Sequence, residues 1–89
     1  MACIDIDALT QFEADAQRGR ADALYNLGLA YSTGQGVSVD FIAAHKWFNL
    51  AAVKGRADAI QMRREVAEMM SDVEIATAQR EARTWMTTH

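Results

Sequence analysis

The sequence predicts an all-α protein, an antiparallel helix-pair solenoid (α-α superhelix) of about five helices that forms a single domain over residues 1–89. Three observations support this class. A segment of the chain recurs after 36 residues, apolar residues recur at spacings of three and four, and glycines separate the helical segments in a chain without proline. A period in the thirties is typical of solenoids built from two-helix units.

The internal repeat is clearest around a glycine. Residues 19–23 read GRADA, and the same five letters recur at residues 55–59. Upstream of this match, Phe12 corresponds to Phe48 and Ala16 to Ala52. The repeated segment therefore contains the end of one helix, a glycine turn and the start of the next helix.

The first helix is predicted from about Asp7, as N-cap, to Arg18. Leu9, Phe12 and Ala16 are spaced three and four residues apart and so lie on one helix face. Gly19 then ends the helix, because glycine readily adopts the left-handed conformation that follows a helix C-terminus.

The second helix is predicted over residues 21–33, and the third begins after Asp40 as N-cap and ends at Gly55. Each has an apolar stripe, which we expect to be buried in the second helix and buried in part in the third. The stripe of the second helix comprises Leu24, Leu27, Gly28 and Tyr31. That of the third comprises Ala44, Trp47, Phe48, Ala51 and Ala52.

Two glycines, Gly34 and Gly36, lie between the second and third helices, where a turn or a phosphate-binding loop would both use them. A phosphate loop follows a strand, opens directly into a helix and usually carries a lysine. Here the glycines follow a helix, and the next lysine is Lys46. We therefore expect a turn with positive φ at both glycines and with Val37 directed back into the core.

These positions together resemble the Sel-one-like (Sel1) repeat, a relative of the tetratricopeptide repeat built from antiparallel helix pairs. The resemblance covers one full repeat, residues 21–56, preceded by a half repeat over residues 7–20. The matching positions are Ala21, Ala23, Leu27, Gly28, Tyr31, Gly34, Gly36, Val37, Asp40, Ala44, Trp47, Phe48, Ala51, Ala52 and Gly55. The resemblance implies a tetratricopeptide-like solenoid.

The repeat pattern fails after residue 56, so we expect residues 57–89 to form C-terminal capping helices. Arg64 stands where Gly28 stood one period earlier, and a long charged side chain there must reach solvent. The fourth helix is expected to continue its apolar stripe past its own end. This stripe comprises Ala59, Met62, Val66, Met69 and Val73. Met69 and Met70 are adjacent, so both cannot face the same core.

A fifth helix is predicted to about Thr87, starting from a capping box formed by Ser71 and Glu74. One face is apolar and is expected to dock on the fourth helix. It carries Ile75, Ala78, Ala82 and Trp85. Two interpretations of Trp85 stay open: a buried residue of a cap, or an exposed anchor of a docking arm.

Catalytic and metal sites are not expected. His45 has no histidine three or four residues away, and we expect it to be a surface or half-buried polar residue. Cys3 is the only cysteine and has no histidine at helical spacing to activate it. Paired acids such as Asp22 and Asp58 fit helix N-termini, where they complement the dipole. We therefore predict no enzyme activity, no metal and no cofactor.

Charge and hydropathy limit the partners. The net charge is −3, and neither half of the chain carries the basic excess of a nucleic-acid-binding surface. No apolar run reaches the length of a membrane span. The first ten residues lack the basic start and apolar core of a secretory signal, so the expected location is cytoplasmic.

The function predicted is a small protein-protein interaction module, an adaptor or scaffold that binds a protein or peptide partner. The resemblance implies binding on the concave surface lined by the first helix of each pair. The candidate partner-binding residues are Tyr25, Asn26, Leu29 and Ser32, which flank the buried stripe of the second helix. Exposed together, Tyr25 and Leu29 would form an apolar patch. Alternatively, these two side chains contact the N-terminal segment around Ile4 and Ile6.

A second function stays open, that of a structural, self-assembling protein. One repeat with its caps makes a thin core, and a homodimer would bury more apolar area. The chain is accordingly expected to be a monomer or a weak homodimer.

Overall fold

The computed structural model describes the backbone of residues 6–89 and the side chains of residues 10–89. It confirms the all-α class, with five helices and no strand over the described backbone. The helices are α1 (Ile6–Gln17), α2 (Ala21–Thr33), α3 (Phe41–Val53), α4 (Asp58–Ala67) and α5 (Asp72–Thr88).

The predicted caps of α3 and α5 are confirmed. The Asp40 carboxylate accepts a hydrogen bond from the Ala43 N–H at 3.1 Å. At α5 the Ser71 hydroxyl accepts from the Glu74 N–H at 3.1 Å, and the Glu74 carboxylate accepts from the Ser71 N–H at 2.8 Å. These bonds satisfy N–H groups that a helix N-terminus otherwise leaves without partners.

Two predicted helix ends differ slightly from the structure. Helix α1 begins at Ile6, so Asp7 lies inside it and the prediction of Asp7 as its N-cap is wrong. Helix α3 ends at Val53 rather than at Gly55, with Lys54 as its C-cap. Hydrogen bonding often ends a residue or two before the glycine that turns the chain.

The turn between α2 and α3 has the predicted backbone. Gly34 has φ of 75° and Gly36 has φ of 80°, in the region that favours glycine. The N–H of Gly34 donates to the Ala30 carbonyl at 2.8 Å, which closes the end of α2. Val37 is half-buried against the core, as predicted. The glycines thus serve a helix-to-helix turn.

Helix α3 is the centre of the molecule, because α2, α4 and α5 all pack against it. The approach of α2 is closest at Gly28. A methyl group added to that glycine would lie 2.6 Å from ring carbons of Phe48 on α3. The predicted role of Gly28 at a helix contact is confirmed. The largest fully buried side chains are Phe48, Leu24, Leu27 and Leu50.

Helix α5 packs on α3 and makes few contacts with α4, so the predicted docking on α4 is wrong. The aromatic rings of Trp85 and Trp47 meet edge to face, with centroids 6.3 Å apart and planes at 82°. In α4 only Ala59 and Val66 are buried, and small side chains offer little apolar area to a further helix. Trp85 itself is buried, with 6% of its surface exposed.

The predicted stripe of α4 is wrong beyond the helix end. Met69 and Val73 are 70% and 76% exposed, whereas Met70 packs against the core. Helix α4 ends at Ala67, so helical spacing no longer fixes the direction of the side chains that follow. The expectation that Met69 and Met70 cannot both face the core is confirmed.

Candidate functional site

The four candidate residues Tyr25, Asn26, Leu29 and Ser32 all lie on α2, and each is half-buried. Their spacings of one, three and three place them along one side of the helix. The sequence therefore located a continuous strip of α2 beside its buried stripe. The four side chains make different contacts within the protein, and these contacts determine which of their groups remain accessible to a partner.

Tyr25 and Leu29 are less exposed than the apolar patch expected of them. The Tyr25 ring meets Phe48 edge to face at a centroid distance of 5.5 Å, and the guanidinium of Arg56 lies 3.9 Å above its centroid. Leu29 also packs against the core. The alternative contacts with Ile4 and Ile6 involve side chains outside the described residues.

Ser32 is engaged within its own helix. Its hydroxyl donates to the Leu29 carbonyl at 3.1 Å, and the Thr33 hydroxyl donates to the same oxygen at 2.6 Å. This is the local side-chain to backbone bond that serine commonly makes inside helices. An incoming partner must therefore compete with a helix carbonyl for the Ser32 donor.

Asn26 opens onto a cleft of about 460 Å³ between α1 and α2. Phe12 contributes an aromatic wall from α1, and Arg20 lies at the start of α2. The cleft is lined by Phe12, Asp15, Arg20, Ala21, Asp22, Ala23 and Asn26. An amide beside an aromatic wall provides one donor and one acceptor for a partner's backbone.

Most charges around this cleft already have partners. Asp22 accepts a hydrogen bond from Arg56 at 2.9 Å, and Asp15 accepts one from the Gln11 amide at 3.2 Å. Arg18 also lies 3.7 Å from the Asp15 carboxylate. Among the described side chains, Arg20 makes no ion pair. The cleft is thus polar at its rim without a strong charge of either sign.

Arg56 is a residue that sequence reasoning missed. It pairs with Asp22 at 2.9 Å and with Asp58 at 3.0 Å, and it covers the Tyr25 ring. The hydrogen bond that the guanidinium donates to Asp58, together with the nearby carboxylates, raises the pKa of Arg56. The repeated letters GRADA place an arginine two residues before an aspartate, but nothing local indicates the link to Asp22, 34 residues away.

His45 differs from expectation, since it is buried with only 4% of its surface exposed. It lies on α3, which three other helices cover, and its Nδ1 has no hydrogen-bond partner. Burial, together with the positive charge of Arg63, lowers the pKa of the imidazole. The prediction of a surface or half-buried residue is therefore wrong.

The side chains that the structure describes include no group of three or more His, Cys, Asp or Glu residues placed to hold a metal ion. Cys3 lies outside the described residues. Within the described part of the chain, no helix combines the length and apolar character that crossing a membrane requires.

The model of the Sel1 repeat family matches residues 21–55. This segment contains α2, the glycine turn and α3, together with all four candidate residues. Among curated proteins, none matches the chain closely enough to count as a relative. The family match thus falls on the helix pair that sequence periodicity singled out.

Proposed function

Because the chain is a Sel1-like repeat helical protein, we propose that it is a protein-protein interaction module, an adaptor or scaffold without catalytic activity of its own. The Sel1 repeat at residues 21–55 is the observation that carries this proposal, since repeats of this family generally mediate protein-protein interactions. The partner is a protein or a peptide. Nucleic acid is not among the proposed ligands, because the net charge of −3 does not favour phosphate binding. A membrane is not among them either, because no apolar run reaches the length of a membrane span.

The proposed partner site is the strip of Tyr25, Asn26, Leu29 and Ser32 with the cleft beside it. Asn26 is its centre, because it is the candidate that lines the cleft and its amide can pair with a peptide group. The accessible parts of Tyr25 and Leu29 add apolar area next to it. Ser32 contributes least, because its hydroxyl already donates to a backbone carbonyl.

Site-specific photo-crosslinking tests this proposal. A photoreactive amino acid in place of Arg20, an exposed residue that lines the cleft beside Asn26, should form covalent adducts with a partner in extracts of the source organism. The same group at Gln79, an exposed residue of α5, serves as the matched control. Adducts that form equally from both positions, or from neither, would contradict the proposed surface. Asn26→Ala, introduced into the chain that carries the photoreactive group at position 20, should reduce the yield of these adducts.

A second candidate function is self-assembly, and the exposure of Met69 and Val73 favours it. These residues flank the junction of α4 and α5 and are 70% and 76% exposed. Covering them in a homodimer would remove apolar surface from water. Light scattering across micromolar concentrations tests this: self-assembly requires a mass that rises with concentration and falls in Met69→Ser/Val73→Ser. A constant monomer mass would exclude it.

The proposal places the protein in the cytoplasm. The composition supports this location, since the chain contains a single cysteine and so cannot form an internal disulfide. Fluorescence microscopy of a tagged chain in its source organism tests this part separately. Signal confined to the cell envelope or the medium would contradict it.

A further inference from the structure

A second cleft, of about 350 Å³, lies between α3 and α5 and shares no residue with the strip on α2. Helix α3 contributes Lys46, and helix α5 contributes the rest of the lining. The lining residues are Lys46, Arg80, Glu81, Thr84, Trp85 and Thr88. The interaction site proposed above does not use any of them.

The charges of this cleft are unpaired. Among the described residues, neither Lys46 nor Arg80 forms an ion pair, and Glu81 does not either. The Lys46 ammonium lies 4.2 Å from the centroid of the Trp47 ring, which holds it near the cleft without neutralising its charge. Two cations and one carboxylate make the cleft locally positive on a protein whose net charge is −3.

Besides its charged residues, the cleft is lined by Trp85 and two threonines. Trp85 contributes the small part of its surface that remains exposed. The two threonines direct their hydroxyls to carbonyls of their own helix. The Thr84 hydroxyl donates to the Arg80 carbonyl at 3.1 Å, and the Thr88 hydroxyl donates to the Thr84 carbonyl at 3.2 Å. Their methyl groups therefore remain as the free part of these side chains.

We propose that the α3–α5 cleft binds an acidic peptide segment of a partner protein, with an Asp or Glu side chain between Lys46 and Arg80 and an adjacent apolar side chain over Trp85 and the threonine methyl groups. Charge complementarity selects this occupant. A carboxylate gains from two cations that have no internal partner, whereas a basic segment is repelled. Glu81 disfavours a polyanion such as RNA, because successive phosphates would approach its carboxylate.

Selection of displayed random peptides on the folded, full chain tests the proposal. Peptides retained by the parent should be enriched in Asp and Glu next to an apolar residue. Their affinity, measured by fluorescence anisotropy, should fall at least about tenfold for Lys46→Glu/Arg80→Glu, because two attractive pairs become repulsive. Arg83→Glu is the matched control, since it reverses an exposed charge of α5 outside the cleft and should change affinity less than about twofold.

Each other result decides against the proposal. Retained peptides without acidic enrichment, an equal loss with Arg83→Glu, or tighter binding of single-stranded RNA would overturn it. Circular dichroism establishes that each variant is folded. If the double reversal does not fold, Lys46→Gln/Arg80→Gln replaces it, and unchanged affinity in that variant would be equally decisive. Asn26→Ala should leave this binding intact, which separates it from the site on α2.

Discussion

The segment that matches the Sel1 repeat model, called the repeat below, and the C-terminal region each contain two helices, but the two pairs are held together in different ways. In the repeat, α2 and α3 pack directly, with Gly28 of one helix against the Phe48 ring of the other. In the C-terminal region, α4 and α5 make few contacts with each other, and both pack on α3. One helix, α3, therefore joins the two regions.

The contrast shows that one small residue can determine whether two neighbouring helices pack closely. One period after Gly28 stands Arg64, which is exposed. A guanidinium on a long stem cannot allow the close backbone approach that a glycine allows. Helix α5 instead buries apolar surface against α3 through an aromatic contact between Trp85 and Trp47. The repeat depends on close backbone approach, whereas the packing of α5 depends on contact between two large aromatic side chains.

The largest expected effect is on the packing of α5 against α3. Trp85→Ala should lower the free energy of unfolding by roughly 3–5 kcal/mol, because it removes a buried aromatic side chain and its contact with Trp47. The ring is also stacked on His89 at a centroid distance of 4.2 Å. Denaturant unfolding measures the change, with Met86→Ala, a 45% exposed neighbour, as control.

If the midpoint of Trp85→Ala moved no further than that of Met86→Ala, the aromatic contact would not hold α5. Trp85 would then resemble an exposed anchor of a docking arm rather than a core residue.

The next effect concerns the close approach in the repeat. Gly28→Leu should destabilise the protein by roughly 1–3 kcal/mol, since even its first carbon would lie 2.6 Å from the Phe48 ring. Leucine's better helix propensity opposes this loss by about 0.8 kcal/mol. Ala76→Leu, at an exposed position of α5, controls for the added apolar side chain. Chemical denaturation of both variants beside the parent measures the difference.

A double-mutant cycle with Phe48→Leu locates the clash. The cost of Gly28→Leu should shrink when the ring is absent. An unchanged cost would show that the strain arises elsewhere along α2.

The sequence predicted best those features that depend on neighbouring residues. The bounds of α2, the Asp40 cap, the Ser71–Glu74 capping box and the positive φ of Gly34 all follow from local chemistry. The periodicity also identified Gly28 as a helix contact, because small residues on a buried stripe indicate close packing.

Features set by distant parts of the chain were not predictable in this way. The docking of α5 on α3 depends on which helix offers apolar area, and the burial of His45 depends on three covering helices. At the candidate site, periodicity placed Asn26 beside the buried stripe of α2. It did not indicate that Phe48 and Arg56 would partly cover Tyr25, because both residues lie beyond the end of α2 and reach Tyr25 only through the packing of the helices.

Because His45 is buried on α3, the stability of the protein should depend on pH. Its folded-state pKa is lowered by burial and by Arg63, so between that value and about 6.5 the unfolded chain binds a proton that the folded chain does not. The contribution of this pKa difference to the free energy of unfolding is therefore fully present above about pH 6.5. It is lost as the pH falls, by at most about 1.4 kcal/mol per pH unit. We therefore expect the denaturant concentration at the midpoint of unfolding to decrease as the pH is lowered from about 7 to about 5.5.

His45→Leu should flatten this part of the pH profile. Circular dichroism and tryptophan fluorescence should report the same midpoint, because α2, α4 and α5 all pack on α3. A parent profile that is flat over this range would show that the buried imidazole accepts its proton without cost.

The smallest effect is expected at Arg56, which connects the two regions by a surface contact. Its guanidinium pairs with Asp22 of α2 and Asp58 of α4 and covers the Tyr25 ring. Arg56→Lys keeps the charge but loses the planar group that bonds two carboxylates while stacking on a ring. The carboxylates are largely exposed, so the loss of stability should be no more than about 1 kcal/mol.

Unfolding midpoints in low and high salt measure this loss of stability. Arg18→Lys serves as the control, because its 3.7 Å ion pair lies outside this junction. The difference between Arg56→Lys and the parent should narrow as salt screens the ion pairs, leaving the part due to the Tyr25 contact. If Arg56→Lys lost no more stability than Arg18→Lys, or if its loss of stability grew with salt, the repeat and the C-terminal helices would be joined through α3 alone.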